Sequence, residues 1–219
     1  MTQKEIFLAG EGDNWYARNL DYIESCTDFV EISFLQEYLK SLPINFRFLE
    51  IGCGGGNRTI AISKAMNCVG YGIDPSQNAI HKANESLHKE GLGDFLVVNF
   101  KPGTADHLDF PDNFFDFVYF GFCLYLIDRN LIEVVVQEAN RVLKHDGYLA
   151  ILDFYSLIPR KNPYKHDVRI NSYKDNYSAY FEKNNYSRVA HLSLLESGEL
   201  GFSSDPDKQI AFTLLKKIS

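Results

Sequence analysis

Glu50-Ile51-Gly52-Cys53-Gly54-Gly55-Gly56-Asn57 is the stretch from which the rest of the chain is read. It closes a short apolar run, Phe46 to Ile51, and opens a helical pattern, Thr59 to Met66. Glycine lets the chain turn tightly and lets backbone N–H groups approach a ligand with no Cβ in the way. At a strand-to-helix junction, that chemistry predicts a ligand-binding turn. The spacing is G-x-G-x-G, whereas a dinucleotide fingerprint reads G-x-G-x-x-G over a pyrophosphate. The observed spacing suits a ligand without a pyrophosphate. A nicotinamide site with a shifted last glycine stays open at this point.

Working outward, short apolar runs alternate with helical spacing. Downstream, strands are expected at Cys68 to Ile73, Phe95 to Phe100, Phe115 to Phe120 and Gly147 to Phe154. Helices are expected at Ser76 to Glu90, stopped by Gly91, and at Arg129 to Leu143, with Leu131, Val134, Val135 and Val142 buried. Upstream, Asp28 to Leu42 has helical spacing closed by Pro43. Tyr173 to Lys183 reads as a helix, and Arg188 to Leu195 and Gln209 to Leu215 as two closing strands. Strands alternating with helices imply βαβ units. The expected fold is α/β: a Rossmann-like, doubly wound, mostly parallel seven-stranded sheet with helices on both faces. Residues 1–27 are expected to form an N-terminal cap, 28–219 the main domain, and 155–183 a substrate cover. Ligands of such sheets bind beyond the carboxyl ends of the strands, where strand order reverses.

Asp74 ends the second strand, 18 residues after Gly56. A carboxylate there can accept hydrogen bonds from both hydroxyls of a ribose. Ahead of Pro75 it can equally cap the next helix. The two roles are compatible.

With these residues in place, the chain resembles the class I S-adenosylmethionine-dependent methyltransferases. Glu50 to Asn57 and Gly72-Ile73-Asp74-Pro75-Ser76 resemble that family's first two motifs. Gly103 to Asp116 looks like its adenine-contacting loop and the lead into strand four, and Glu138 to Leu149 like the segment before strand five. The resemblance covers roughly residues 45 to 154, with four motifs in the family's order. It implies S-adenosylmethionine as cofactor. Gly52, Cys53 and Gly54 would wrap its methionine end and Glu50 would orient its amino group. Asp74 would hold the ribose, and Pro75 would flank the adenine, whose edge would meet Thr104, Ala105 and Asp106. The family commonly has Asp where this chain has Thr104. Phe120 to Leu124 would line the transfer centre, with Phe122 as a wall. Trp15, the only tryptophan, and Arg18 lie in a polar N-terminal segment that reads either as a surface helix packing its aromatics on the core or as a lid, with Arg18 on the methionine carboxylate and aromatic faces favourable to a sulfonium.

The remaining composition narrows the acceptor. The chain has 219 residues, 45% of them hydrophobic, with 29 acidic and 22 basic residues for a net charge of −7. There is no dense Lys/Arg cluster, so no nucleic-acid partner is expected. The N-terminus lacks an apolar core of a secretory signal, and the most apolar stretch, Phe114 to Ile127, is interrupted by Asp116. A cytoplasmic protein without membrane insertion is expected. The four cysteines match no disulfide or zinc pattern. Nothing suggests a metal, since Asp153 lacks the neighbouring Asp or Asn of magnesium-dependent members. Arg160, Lys161, Lys165, His166 and Arg169 lie in an otherwise acidic chain. They suggest a pocket for an anionic or sugar-derived small-molecule methyl acceptor, with Arg160 and Arg169 as its anchors. Where the acceptor carries a proton, His166, Tyr125 and Asp153 are the candidate bases. The alternative from another class is a cofactor-binding partner subunit without transferase activity. A homodimer is compatible with either reading.

Overall fold

The computed structural model describes residues 1–26, 29–89 and 96–218. The boundary at 27 and 28, the helix start at Asp28, the helix end at Glu90 with its stop at Gly91, and the strand start at Phe95 lie outside the described residues. Seven strands form the main sheet: β1 Arg47–Ile51, β2 Val69–Asp74, β3 Val98–Pro102, β4 Phe115–Gly121, β5 Leu143–Phe154, β8 Tyr186–Leu194 and β9 Ile210–Lys217. Their order is β3-β2-β1-β4-β5-β9-β8. The first five pair in parallel, while β9 runs antiparallel to both β5 and β8. The chain leaves β1 toward β2 and β3, then returns to β4 on the other side of β1. That reversal opens a crevice above β1 and β4. This is the expected doubly wound, mostly parallel sheet.

Helices cover both faces. α3 Val30–Tyr38 and α4 Asn57–Met66 supply Leu35 and Ile62, joined by Leu39 just past α3, to a core with Phe48, Phe117, Tyr119 and Phe212. α6 Ile132–Val142 and α7 Ser178–Glu182 cover the other face against Leu49, Val118, Phe120 and Leu149. α5 Gln77–Lys89 packs Ile80, Ala83 and Leu87 on Phe100. The helix expected to bury Val134 instead buries Ile132, Val135, Val136, Ala139 and Val142, and leaves Val134 40% exposed. Three consecutive valines cannot all face one side at 3.6 residues per turn.

The segment expected as one helix, Tyr173 to Lys183, is divided. β6 Arg160–Pro163 and β7 Asn171–Lys174 form a separate antiparallel hairpin, in which Lys161 pairs with Tyr173, and only Ser178–Glu182 is helical. Tyr173 is held in the strand by the Arg129 guanidinium, 4.2 Å over its ring.

The N-terminal segment is also helical: α1 Gln3–Ile6, then a widened turn Phe7–Glu11 with Gly10 at φ 136°, then α2 Gly12–Ser25. It lies across the carboxyl ends of the strands. Asp13 accepts from Ser76 Oγ at 2.6 Å and from Asn78 N at 3.1 Å, so α2 caps the start of α5. Gln3 Nε2 donates to the Asn171 carbonyl of the hairpin, and Lys4 Nζ to Asp106 at 2.6 Å. Ile6, Tyr164 and Ile170 form a small apolar cluster between the cap and the hairpin. No helix among the described residues is long and apolar enough to cross a membrane. Asp13→Ala should cost about 1 kcal/mol, the usual worth of a capping contact. Limited proteolysis of α2 checks the same tether, because the variant should be cut within Gly12–Ser25 faster than the parent.

Candidate active site

The parallel register sets Ile51 beside Phe120, so Gly52 and Gly121 lie side by side at the strand ends. Gly52 has φ 81°, and a Cβ on it would stand 2.7 Å from Cys123 Cβ and 3.1 Å from the Gly121 carbonyl. Only glycine makes this turn at this distance. A Cβ on Gly121 would stand 2.9 Å from Glu50 Oε1 and 3.0 Å from Arg58 Nη1. Above Gly54 nothing lies within 4 Å, which leaves open space for a ligand.

Two cavities meet over these glycines. The first, about 140 Å³, is lined at one end by Asp74, Pro75 and Gly103 to Asp106, and at the other by Gly52 and Gly121 to Cys123. Lys4, Phe7 and Trp15 of the cap roof it. The second, about 400 Å³, is walled by Tyr22, Phe29, Phe122, Tyr125, Phe154 and Ile210, with Gly52 to Gly54, Asn57, Arg58 and Glu196. Trp15, Gly52, Gly121 and Phe122 line both. Phe122 has φ 49°, a left-handed backbone that a bulky residue adopts at a cost of about 1–3 kcal/mol. Its amide is held there by the Leu152 carbonyl at 2.9 Å. Such strain marks functional positions, and here it sets Phe122 at the neck between the cavities.

The structure brings most of the expected cofactor residues together. Gly52, Asp74, Pro75, Thr104, Ala105, Asp106 and Trp15 line the first cavity, and Cys53 and Gly54 the second. Asp74 accepts from Gly54 N at 3.0 Å and Ser76 N at 2.9 Å, so the carboxylate is aimed by both the glycine turn and the next helix. Glu50 lies below the cavities, taken by Thr59 Oγ1 and by Arg58 Nη1 at 3.3 Å. Phe120 does not reach the cleft. It is fully buried and packs on Phe181, because alternate residues of β4 face opposite sides of the sheet. Arg18 lines neither cavity, its guanidinium held by Glu11 and by Tyr164 at 2.9 Å.

The expected acceptor residues separate from the cleft. Arg160 pairs with Asp207 at 3.0 Å, a partner 47 positions away, and Arg169 with Asp167. His166 packs edge-on to Tyr164. None of the three lines either of these two cavities, nor does any other residue of 155–183. That segment meets the cap through Tyr164, Ile170 and Asn171. Asp153 is committed to three backbone N–H groups, of Leu124 at 2.8 Å, Tyr125 at 3.3 Å and Phe154 at 2.7 Å, so it shapes the loop after β4. Tyr125 receives the Trp15 indole N–H at 2.9 Å, and burial holds its phenol well above the ordinary value. Sequence reasoning missed Arg58, Phe29, Tyr22 and Glu196. Only Arg58 had a signal, its place immediately after the glycine turn.

Residues 49–151 match the family described as methyltransferase domain. A demethylmenaquinone methyltransferase of Geobacillus kaustophilus is 34% identical over 111 residues, covering 49% of this chain and 44% of that protein. An uncharacterized methyltransferase of Schizosaccharomyces pombe is 31% identical over 146 residues, 64% of this chain and 51% of that one. Residues 49–151 are a class I S-adenosylmethionine-dependent methyltransferase domain. S-adenosylmethionine is the cofactor of this methyltransferase domain, and the free space over Gly54 beside Asp74 fits it. The fold agrees with that of a geranyl diphosphate methyltransferase in complex with the same cofactor (TM-score 0.68, 13% identity, 93% of this chain and 90% of that one). A methyltransferase of Methanosarcina mazei gives TM-score 0.66 at 17% identity, over 83% and 97% of the two chains. The chain spans about half or less of the length of the curated relatives it matches.

Burial lifts three carboxyl groups around this methyltransferase cleft: Asp153 up to about 7, Glu50 and Asp74 up to about 6. Between the ordinary carboxyl range and pH 7, the folded protein therefore holds more protons than the unfolded chain, and stability falls as pH rises. Below pH 4 the sign reverses, because ion pairs depress Asp106, Glu138 and Asp167. Urea denaturation should place maximal stability near pH 5, with a lower midpoint at pH 7.5.

Proposed function

We propose that this protein transfers a methyl group from S-adenosylmethionine to a small, largely apolar acceptor bound in the second cavity. The observation that carries this reading is the shared neck of Trp15, Gly52, Gly121 and Phe122 between a cleft lined by Asp74, Pro75 and Gly103 to Asp106 and a second one with aromatic walls. The cofactor supplies an electrophilic methyl on a sulfonium. Asp74 holds the ribose hydroxyls, the loop Gly103 to Asp106 holds the adenine, and the glycine turn lets the methionine end pass. Trp15 and Phe122 offer aromatic surface beside the positive sulfur. Asp74, Asp106 and Asp128 line the same cavity and favour the cationic donor over the product, which has lost that charge.

The cap and the aromatic wall exclude water and align the acceptor, which supplies much of the acceleration in a displacement of this kind. Tyr125 is held protonated, and Asp153 accepts from the Leu124 amide with its carboxyl lifted by burial to about 7. The names of relatives and neighbours, demethylmenaquinone and geranyl diphosphate methyltransferases, support an apolar ring or isoprenoid acceptor. An anionic sugar-derived acceptor drawn to Arg160 and Arg169 has less support, because both are paired and stand apart from the neck.

Release of S-adenosylhomocysteine should be seen with quinols or isoprenoids and not with sugar nucleotides. Turnover confined to sugar nucleotides would reject the apolar cavity as the acceptor site. Phe122→Gly should raise the acceptor KM at least about tenfold, the worth of one aromatic wall, and should weaken S-adenosylmethionine more than S-adenosylhomocysteine, which has no positive sulfur. Asp74→Ala should weaken S-adenosylhomocysteine by roughly 1.5–3 kcal/mol in calorimetry, since charge-assisted hydrogen bonds are lost. Trp15 fluorescence should change on saturation with the same ligand, and a flat signal would remove Trp15 from the cofactor's roof.

A further inference from the structure

We infer that Arg58 receives the carboxylate of the cofactor's methionine end, and that Glu31 and Tyr119 are the residues that position it. The inference rests on the cofactor reading above. Arg58 stands in the first turn of α4, two residues past Gly56. Its guanidinium lies 5.0 Å from the Phe29 ring centre and 5.4 Å from that of Tyr119, with the side chain 17% exposed. Nε donates to Glu31 Oε1 at 2.9 Å and Nη1 to Glu50 Oε1 at 3.3 Å. The Tyr119 hydroxyl donates to the same Glu31 oxygen at 3.0 Å. Two of the three nitrogens are thereby fixed. Nη2 carries no partner among the described residues, and Arg58 lines the second cavity beside Gly52, Gly54 and Gly121. A planar guanidinium pinned along one edge presents its remaining N–H groups in a set direction, which suits a carboxylate.

Position and charge choose the methionine end over the acceptor. Arg58 Nη1 lies 3.0 Å from where a Cβ on Gly121 would stand, and Gly121 lines both cavities, so the guanidinium is at the neck and not at the outer mouth. Glu31, Glu50 and Arg58 together carry one net negative charge. An amino-acid tail brings both signs, its carboxylate for Arg58 and its ammonium for the acidic side, whereas a simple anion would meet repulsion from two carboxylates. Arg18, the alternative, is occupied by Glu11 and Tyr164.

Calorimetry with three ligands tests this: S-adenosylmethionine, its decarboxylated form, which lacks only the carboxylate, and 5′-methylthioadenosine, which lacks the whole tail. The parent should prefer S-adenosylmethionine over the decarboxylated form by about tenfold or more, as expected for a charged hydrogen bond. R58Q should abolish that preference while leaving 5′-methylthioadenosine affinity within about twofold, which removal of a contact to the tail alone predicts. Should R58Q fail to fold, E31Q and Y119F, which leave the guanidinium in place but loosen it, should each reduce the preference by about threefold or more. A parent with no preference, or a folded R58Q or E31Q protein that keeps it in full, overturns the assignment. Loss of the preference in R18A with R58Q unaffected transfers the role to Arg18 and likewise overturns it. Failure of the parent to bind 5′-methylthioadenosine refutes the cofactor reading itself.

Discussion

Everything at the ligand end of this protein depends on how closely two strand ends approach. β1 and β4 run parallel and adjacent, with Gly52 just after the first and Gly121 at the end of the second, and no room for a side chain between them. Because no Cβ intervenes, the cleft floor is backbone, and the polar groups below it come within contact distance. Glu50 and Arg58 lie directly under Gly121. The topological reversal creates the crevice, and the glycines make it deep enough to use.

Over that floor sits a cover held by many polar contacts, few of them strong alone. Lys4 to Asp106, Gln3 to Asn171, Trp15 to Tyr125, Arg18 to Tyr164 and Asp13 to Ser76 join the cap to the rest of the chain, the second and fourth of them to the β6–β7 hairpin. The partly exposed Lys4–Asp106 ion pair contributes about 0–1 kcal/mol, and the hydrogen bonds about 0.5–1.5 kcal/mol each. Apolar support is limited to the cluster of Ile6, Tyr164 and Ile170 with Phe7, Trp15 and Leu126 at its margin. A cover built this way is ordered by the sum of its contacts and is released at modest cost. That suits a ligand that must enter beneath it and leave again. The β6–β7 hairpin belongs to this cover by contact, since Gln3, Arg18 and Ile6 all reach it.

Buried charge is concentrated under the cleft and handled by pairing. Glu31 and Glu50, each no more than 3% exposed, share one guanidinium and take further donors from Tyr119 and Thr59. Such a cluster is a poor source of stability, because desolvation opposes the Coulomb attraction. Its value is directional. Each donor fixes an orientation, and an ordered set of charges under a ligand costs little to reorganise when the ligand arrives.

The sequence by itself determined the fold class and which residues gather at the strand ends. Alternating strand and helix periods, glycines at 52, 54 and 56 and an acid at 74 act locally: each needs only its neighbours along the chain to take its shape. Strand-end loops of a parallel sheet converge by topology, so Asp74 and Gly103 to Asp106 meet without special packing. Residues whose placement depends on distant partners were not legible. Phe120 and Gly121 differ by one position, and the pleat decides which of them faces the ligand. Arg160 and Arg169 lie close together in one dimension, but in the fold Asp207, from the segment between β8 and β9, pairs with the first, and Asp167 with the second. Val134 and the start of β7 followed tertiary contacts over local preference. Arg58 gained its setting from Glu31 on α3 and Tyr119 on β4, 27 positions before it and 61 after it. A side chain's direction is set by what surrounds it in space, and that was decided only when the sheet, the cap and the helices closed around the glycine turn.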